Sequence, residues 1–328
     1  MEGFMKKTIV LLTVLAVFFT IAMTTGCKKN SSPSGPVATP TIDSSALVSA
    51  SGGTFFQTDG TNSFSHTISA FKIGKYQVTY DLWYTVYTWA IANGYTFQNA
   101  GAEGSNGTVG AAPTTAKYQP VTTINWRDAM VWCNAFSQKT GLTQVYYSDS
   151  GFTTPIKNST DAAYSSSIDP TVGGLDDPYV NWSANGYRLP TEGEYQYAAS
   201  YQNGTAWTPY NYASGATAAY TNEAATDLVG WDTVNSGSTT HAVGSLAANA
   251  LGIYDMSGNV WEWCFDWYGT YPTTASTNYT GPASGSSRVI RGGSYSDTAG
   301  YLQVGYRNYS YFPFYTDYSS GFRFARTN

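Results

Sequence analysis

The stretch from Arg288 to Arg326 constrains this chain more than any other. It opens on Arg288-Val-Ile-Arg-Gly-Gly-Ser294 and closes on Gly321-Phe-Arg-Phe-Ala-Arg326. Both ends read as buried strand: apolar residues that alternate or run on, a Gly pair for a tight bend, and Arg side chains long enough to reach buried carbonyls. Between them, Tyr295 to Ser320 holds seven Tyr, four Ser, two each of Asp, Gly, Phe and Thr, and Asn308, with no Lys or Glu. A disordered tail would carry charge and few aromatics. A core would not string phenols together, because each buried hydroxyl needs a partner. What remains is an aromatic and small-polar surface held between strands, the composition of an antibody paratope. The segment reads as a binding face.

The first 26 residues read as a processing signal. Lys6 and Lys7 precede an apolar run from Thr8 to Ala22, of the length a signal core needs and too short for a comfortable membrane span. Thr24-Thr-Gly-Cys27 follows and resembles a bacterial lipobox, which implies cleavage before Cys27 and a lipid on that Cys. An ordinary secretory signal is the alternative. Residues 27–45 are rich in Ser, Pro and Thr without an apolar period, and read as a lipidated Cys and a flexible tether. The globular part is expected over residues 46–328, as a single loop-rich domain.

Aromatic residues make up 16% of the chain and charged residues 11%, so packing and hydroxyl hydrogen bonds carry weight that surface charge usually carries. A net charge of −5 with no basic stripe argues against nucleic acid as a partner. The pattern is α+β. Ser65 to Ile73 alternates as one half-buried strand. Thr79 to Ala92 has a helical period with Thr79 as N-cap. Asn125 to Lys139 is expected as an amphipathic helix with Ala129, Trp132, Cys133 and Phe136 on its inner face and Gly141 as its stop. Thr191 to Ser200 is a third helix, opened by a Thr191–Glu194 capping box. Tyr146 to Asn181 reads as mostly irregular, and the second half as loops and strands.

Asn185-Gly-Tyr-Arg-Leu-Pro-Thr-Glu-Gly-Glu-Tyr-Gln-Tyr-Ala198 resembles the Arg-Leu-Pro-Thr-Glu block of the formylglycine-generating, sulfatase-modifying family. Further blocks agree in order: Phe71 to Thr79, Pro120 to Asn134, Asn249 to Cys264, and the closing Arg288–Ser294 and Gly321–Arg326 frame. The resemblance covers nearly the whole globular part. It implies a C-type-lectin-like fold of the formylglycine-generating-enzyme type. Enzymes of that family oxidise a Cys using a Cys pair that lies after the Arg-Gly-Gly-Ser block. Here Tyr295 to Ser320 has no Cys, and the chain has three in all: Cys27, Cys133 and Cys264. Without a thiolate in that region the nucleophile and copper ligand are missing, so no catalytic residue is assigned and no redox or nucleotide cofactor is expected.

The Cys-free, Tyr-rich segment also resembles the variable region of C-type-lectin proteins diversified by retroelements, of the Treponema-type variable lipoproteins. In those, template Asn codons altered at adenines yield Tyr, Ser, Asp, Thr, Gly and Phe. The resemblance implies a variable binding region within 288–326. Its exposed set would be Tyr295, Ser296, Asp297, Gly300, Tyr301, Tyr306, Tyr309, Ser310, Tyr311, Phe314, Tyr315, Asp317, Tyr318 and Ser319. Arg307, Asn308, Pro313 and the terminal Gly-Phe-Arg would be fixed props. A fixed Tyr-rich loop packed on its own domain is the alternative.

The family resemblance further implies a structural Ca²⁺ held by Ser257, Gly258, Val260 and Glu262, oxygen donors that suit this ion. Otherwise Glu262 caps a turn, with Trp261 and Trp263 in the core. His66 and His241 have no Cys or acidic cluster beside them in sequence and read as satisfied structural histidines. Cys133 and Cys264 are either one disulfide or two buried thiols. The expectation is therefore a surface-displayed lipoprotein, a monomer anchored through its lipid alone at the outer membrane of a bacterial cell. It would bind a protein or surface glycoconjugate and carry out no reaction. An enzyme remnant using the family pocket without Cys, or a fixed structural envelope lipoprotein, are the competing readings.

Overall fold

Three of the helices begin where their capping residues place them. The computed structural model describes residues 43, 45–309 and 311–328, so the expected signal, Cys27, most of the tether and Ser310 lie outside the described residues. Helix α1, Tyr80–Ile91, starts at Thr79, whose hydroxyl accepts from Leu82 N–H at 3.3 Å. Helix α2, Trp126–Lys139, opens on a reciprocal box: Asn125 Oδ1 accepts from Asp128 N–H at 2.8 Å and Asp128 Oδ2 from Asn125 N–H at 3.1 Å. Helix α3, Glu192–Ser200, has the same device at Thr191 and Glu194, at 3.1 and 2.9 Å. A single turn, α4, follows at Glu223–Thr226.

Helix α2 buries the expected inner face of Ala129, Trp132, Cys133 and Phe136 and its polar face as well, every residue from Trp126 to Ser137 being buried. Its outer polar residues meet loop partners instead of water. Arg127 forks onto Asp176, Nε to Oδ1 at 2.7 Å, and Asp128 accepts from Ser159 Oγ at 2.6 Å and Asn99 Nδ2 at 2.7 Å. Burial pushes the Asp128 carboxyl up, against these hydrogen bonds.

The strands form three main sheets and two small ladders. In the first, β1 (Leu47–Ala50), β4 (Phe71–Gly74) and β14 (Ala325–Thr327) pair antiparallel around β4. In the second, β3 (Ser63–Ile68) lies between β2 (Gly53–Thr58), antiparallel, and β10 (Ser276–Thr277), parallel. The ladders are β5 (Ala102–Glu103) with β6 (Val121–Thr122), and β7 (Tyr146–Tyr147) with β8 (Tyr179–Val180). The expected strand Ser65–Ile73 is thus two strands in different sheets. The chain breaks at Ser69, whose N–H is taken by Asn278 Oδ1 at 2.8 Å. Each strand alternates, but the buried positions are Phe64, His66 and Ile68 in β3 and Phe71 and Ile73 in β4, so the phase slips by one residue at Ala70–Phe71, where the chain changes sheet.

The third sheet positions the candidate site. Its order is β12 (Arg307–Asn308), β11 (Arg288–Arg291), β9 (Trp261–Trp267), β13 (Ser320–Gly321), with β13 parallel to β9 and the other pairs antiparallel. Both ends of the Arg288–Arg326 stretch therefore flank one central strand. Beyond β13, Phe322 and Phe324 turn into the core. Phe322 lies edge-on to Trp83 and Trp132, which stack on each other at 6.0 Å, and Phe324 packs on Phe136 and Tyr187. Full burial of each Phe stabilises the fold by about 1.5–3 kcal/mol.

Candidate ligand-binding surface

The Tyr-rich segment is held through its main chain. β11 leaves the sheet through Gly292 and Gly293, at φ +95° and +74°. A Cβ on Gly293 would come within 2.7 Å of Leu302 Cδ1 and 2.9 Å of Tyr301 O, so this bend needs Gly. The Arg291 guanidinium donates to the carbonyls of Tyr306 and, at 3.1 Å, Val304. Arg288 N–H donates to Tyr311 O at 2.9 Å, while its guanidinium lies between the Trp126 and Trp267 rings at 3.8 and 3.6 Å. Arg307 forks onto Glu192 with two contacts of 2.7 Å and lies over Tyr268 and Tyr271.

On this frame the aromatic side chains form several ring clusters. Trp261 of β9 is the floor of one, with Tyr306 at 5.9 Å and Tyr301 edge-on at 6.3 Å. Tyr309 leans on Tyr268 at 5.4 Å, and Tyr311 meets Trp263 at 5.8 Å and Tyr315 at 5.0 Å. Tyr301, Tyr309, Tyr315 and Tyr318 are exposed by 39–64%, and Ser296 is also exposed. Tyr306, Tyr311, Phe314, Gly300, Asp297 and Asp317 are half-buried. Burial, then the charge of Asp317, pushes the Tyr311 hydroxyl up, so it stays a neutral donor. Phe312, absent from the expected set, is 42% exposed and stacks on Phe314 at 5.3 Å. Its aromatic character was the available signal.

Two of the expected exposed residues are buried. Tyr295 is 4% exposed because the chain has just left β11: its N–H donates to Asn259 O at 2.9 Å, and its carbonyl accepts from Ser236 Oγ at 2.8 Å. Ser319 is buried where pairing with β9 begins, its carbonyl accepting from Trp261 N–H at 2.8 Å. The two aspartates shape turns. Asp297 Oδ2 accepts from Ser294 N–H at 3.0 Å, and Asp317 Oδ1 from Ser319 N–H at 2.8 Å.

The expected Ca²⁺ ligands do come together, around a different occupant. The carbonyls of Gly258 and Val260 and Glu262 Oε1 converge on Gln77 Nε2, at 3.2, 3.0 and 3.1 Å. Asp255 O, at 3.1 Å, completes the set in place of Ser257, whose hydroxyl donates to Leu302 O at 2.7 Å. Arg323 neutralises Glu262 through contacts of 2.6 and 2.7 Å. An amide nitrogen and a guanidinium thus occupy the places of the ion and its charge. The four converging oxygens are ligands of the kind that suits Ca²⁺ and outnumber the two protons of the Gln77 amide, whose own Oε1 is buried without a partner.

The two described cysteines, the two histidines and the Arg188–Glu194 pair have internal roles. Cys133 and Cys264 are free and buried in separate core clusters, with burial pushing both thiols up, so they are two thiols and not a disulfide. His66 Nε2 accepts from Tyr279 N–H at 2.8 Å, which leaves Nδ1–H for Gln57 Oε1 at 2.6 Å. His241 lies flat on Trp231 at 3.7 Å. A 410 Å³ cleft near the Arg-Leu-Pro-Thr-Glu block is lined by Trp182, Arg188 and Glu194. Its charges are used internally: Arg188 forks onto Glu194 at 2.6 and 2.7 Å.

Sheet topology, buried Arg frame and loop-borne aromatic face define a C-type-lectin-like fold of the formylglycine-generating-enzyme type. The chain belongs to the sulfatase-modifying factor enzyme 1-like domain family, whose profile matches residues 34–328. It is similar to Chaperone protein LppX of Paenibacillus barcinonensis, 33% identical over 278 residues that span 81% of this chain and 84% of that protein. It is also similar to the formylglycine-generating enzyme of Streptomyces coelicolor, 35% identical over 123 residues, which cover 36% of this chain and 38% of the enzyme. Among solved structures, Treponema denticola variable protein 1 superposes with a TM-score of 0.65 at 30% identity, over 86% of this chain and 95% of that one.

Proposed function

We propose that this chain is a non-enzymatic ligand-binding protein whose recognition surface is the Tyr-rich segment within residues 288–326, diversified by a retroelement. The observation that carries the reading is the exposure of Tyr301, Tyr309, Tyr315 and Tyr318 on a segment whose carbonyls at Val304 and Tyr306 are held by Arg291. Phenol rings and short polar side chains give contact area at low entropic cost. A central Tyr contributes roughly 2 kcal/mol or more to binding. Likeness to a variable protein supports diversification. Burial of both Cys133 and Cys264 supports recognition over thiol catalysis.

The ligand is a protein or surface glycoconjugate, given a broad face and a net charge of −5. Among the described residues no helix is long and apolar enough to cross a membrane. In this reading a lipid on Cys27 is the anchor and the domain is displayed at the bacterial outer surface.

Sequencing the DNA beside the 3′ end of the gene tests the reading. The expected result is a near-copy of codons 288–326 with AAC or AAT where the gene encodes the exposed set, next to a reverse transcriptase gene. Absence of any such copy overturns diversification and leaves a fixed Tyr-rich lipoprotein.

A further inference from the structure

A cluster apart from the family's metal position stands out in the loop after α4. Glu223, Asp227 and Asp232 each bring a carboxylate oxygen within 4.8 Å of the other two. Asp232 is fully buried. Its Oδ1 accepts from Val234 N–H at 2.8 Å, while its Oδ2 is buried without a partner. Asp227 Oδ1, in the same cluster, is also buried without a partner. Three carboxylates this close, two of them presenting unpaired buried oxygens, repel one another, and a cation placed among them relieves that repulsion. Among the described residues no Lys or Arg forms an ion pair with any of the three. Glu223 and Asp227 are half-exposed, so the cluster is open on one side to an ion and its water shell.

We propose that Glu223, Asp227 and Asp232 form a site for a hard divalent cation, Ca²⁺ in class. Oxygen-only donors, a charge of up to −3 and irregular geometry suit Ca²⁺, which completes its shell with water. The softer metals that favour His or Cys have no such donor in the cluster.

The placement gives the ion a task. The loop that carries these acids also supports the start of the Tyr-rich segment. Thr233 N–H donates to Asp297 O at 2.9 Å, Ser236 Oγ donates to Tyr295 O at 2.8 Å, and Trp231 pairs with Gly258 beneath β9. A cation bridging α4 to Asp232 fixes that support. The site itself does not depend on whether the segment is diversified.

Terbium luminescence sensitised by Trp231, with displacement by Ca²⁺, tests the proposal on the full chain in detergent. The expected result is a saturable signal displaced with a Kd on the order of 0.1–1 mM, the range of extracellular Ca²⁺ modules. The shape-preserving variant Asp232→Asn is expected to weaken binding by about tenfold or more, because ligand charge sets affinity. Its melting temperature should no longer respond to chelator, whereas that of the wild type should fall. If Asp232→Asn does not fold, the more exposed Glu223→Gln carries the same comparison. Either no saturable signal from the wild type, or both variants binding as the wild type does, overturns the site.

Discussion

Arg323 and Glu262 face each other as a fully buried fork, Nε to Oε2 at 2.6 Å and Nη2 to Oε1 at 2.7 Å. The same guanidinium also donates to Gly74 O, Tyr254 O and Asp255 O, so one side chain ties three parts of the chain to β9. Removing one partner strands a buried charge. Glu262→Gln is expected to lower stability by about 3–5 kcal/mol, read from urea unfolding. A loss below 1 kcal/mol, on the order of an exposed pair, would show that the fork is dispensable.

The Gln77 amide, with two N–H protons, faces four acceptors, three of which the family resemblance assigned to a metal. Gln77→Leu keeps the volume and removes the donor, leaving the carbonyls of Asp255, Gly258 and Val260 without it. A cost of about 2 kcal/mol or more is expected in chemical denaturation. Added Ca²⁺ should restore none of this loss in the doubly substituted Gln77→Leu, Asp232→Asn protein. Full recovery there would return the ion to the Glu262 position.

Exposure divides the tyrosines into two groups with separate behaviour. Tyr309→Ala and Tyr318→Ala should each change stability by no more than about 0.5 kcal/mol. Tyr295→Ala empties a buried site and should cost about 3–5 kcal/mol, in the manner of large aromatic truncations. Thermal unfolding of the three variants gives the comparison. Equal losses in all three would mean that Tyr309 and Tyr318 pack inward.

His66 gives the fold an acid-sensitive element. Burial lowers its pKa from 6.5 to about 4, against the pull of Glu192 and Glu194. The unfolded chain therefore takes up the proton first, and stability is lost as pH falls from 6.5 toward 4. The loss is at most about 3 kcal/mol. Asp255 acts with the opposite sign, because burial pushes its carboxyl up to about 6. The His66 contribution is thus read as wild type minus His66→Phe across that window. A difference that stays constant with pH would mean that His66 titrates alike in both states.

Much of the frame was legible because it is local. Thr79, Asn125 and Thr191 cap helices within three or four residues of themselves, and the Gly292–Gly293 pair announces its bend. What was hidden is long-range. Gln77 reaches Val260 across 183 residues, and nothing near either one marks the pairing. Tyr295 and Tyr301 have the same composition signal, but a bond to Asn259 O buries the first and leaves the second outside. The passage from β3 to β4 did leave a trace, a one-residue slip in the alternation at Ala70–Phe71 that reading Ser65–Ile73 as one strand passes over. The acids of the 223–232 loop are spread along a turn and meet only through its curvature.

The Arg291 guanidinium holds the carbonyls of Val304 and Tyr306, and the Arg288 N–H holds that of Tyr311. Every amino acid supplies the same carbonyl. At these points the fastening is blind to the identity of the residues it fastens, so changing the side chains of Tyr306 and Tyr311 leaves these bonds in place.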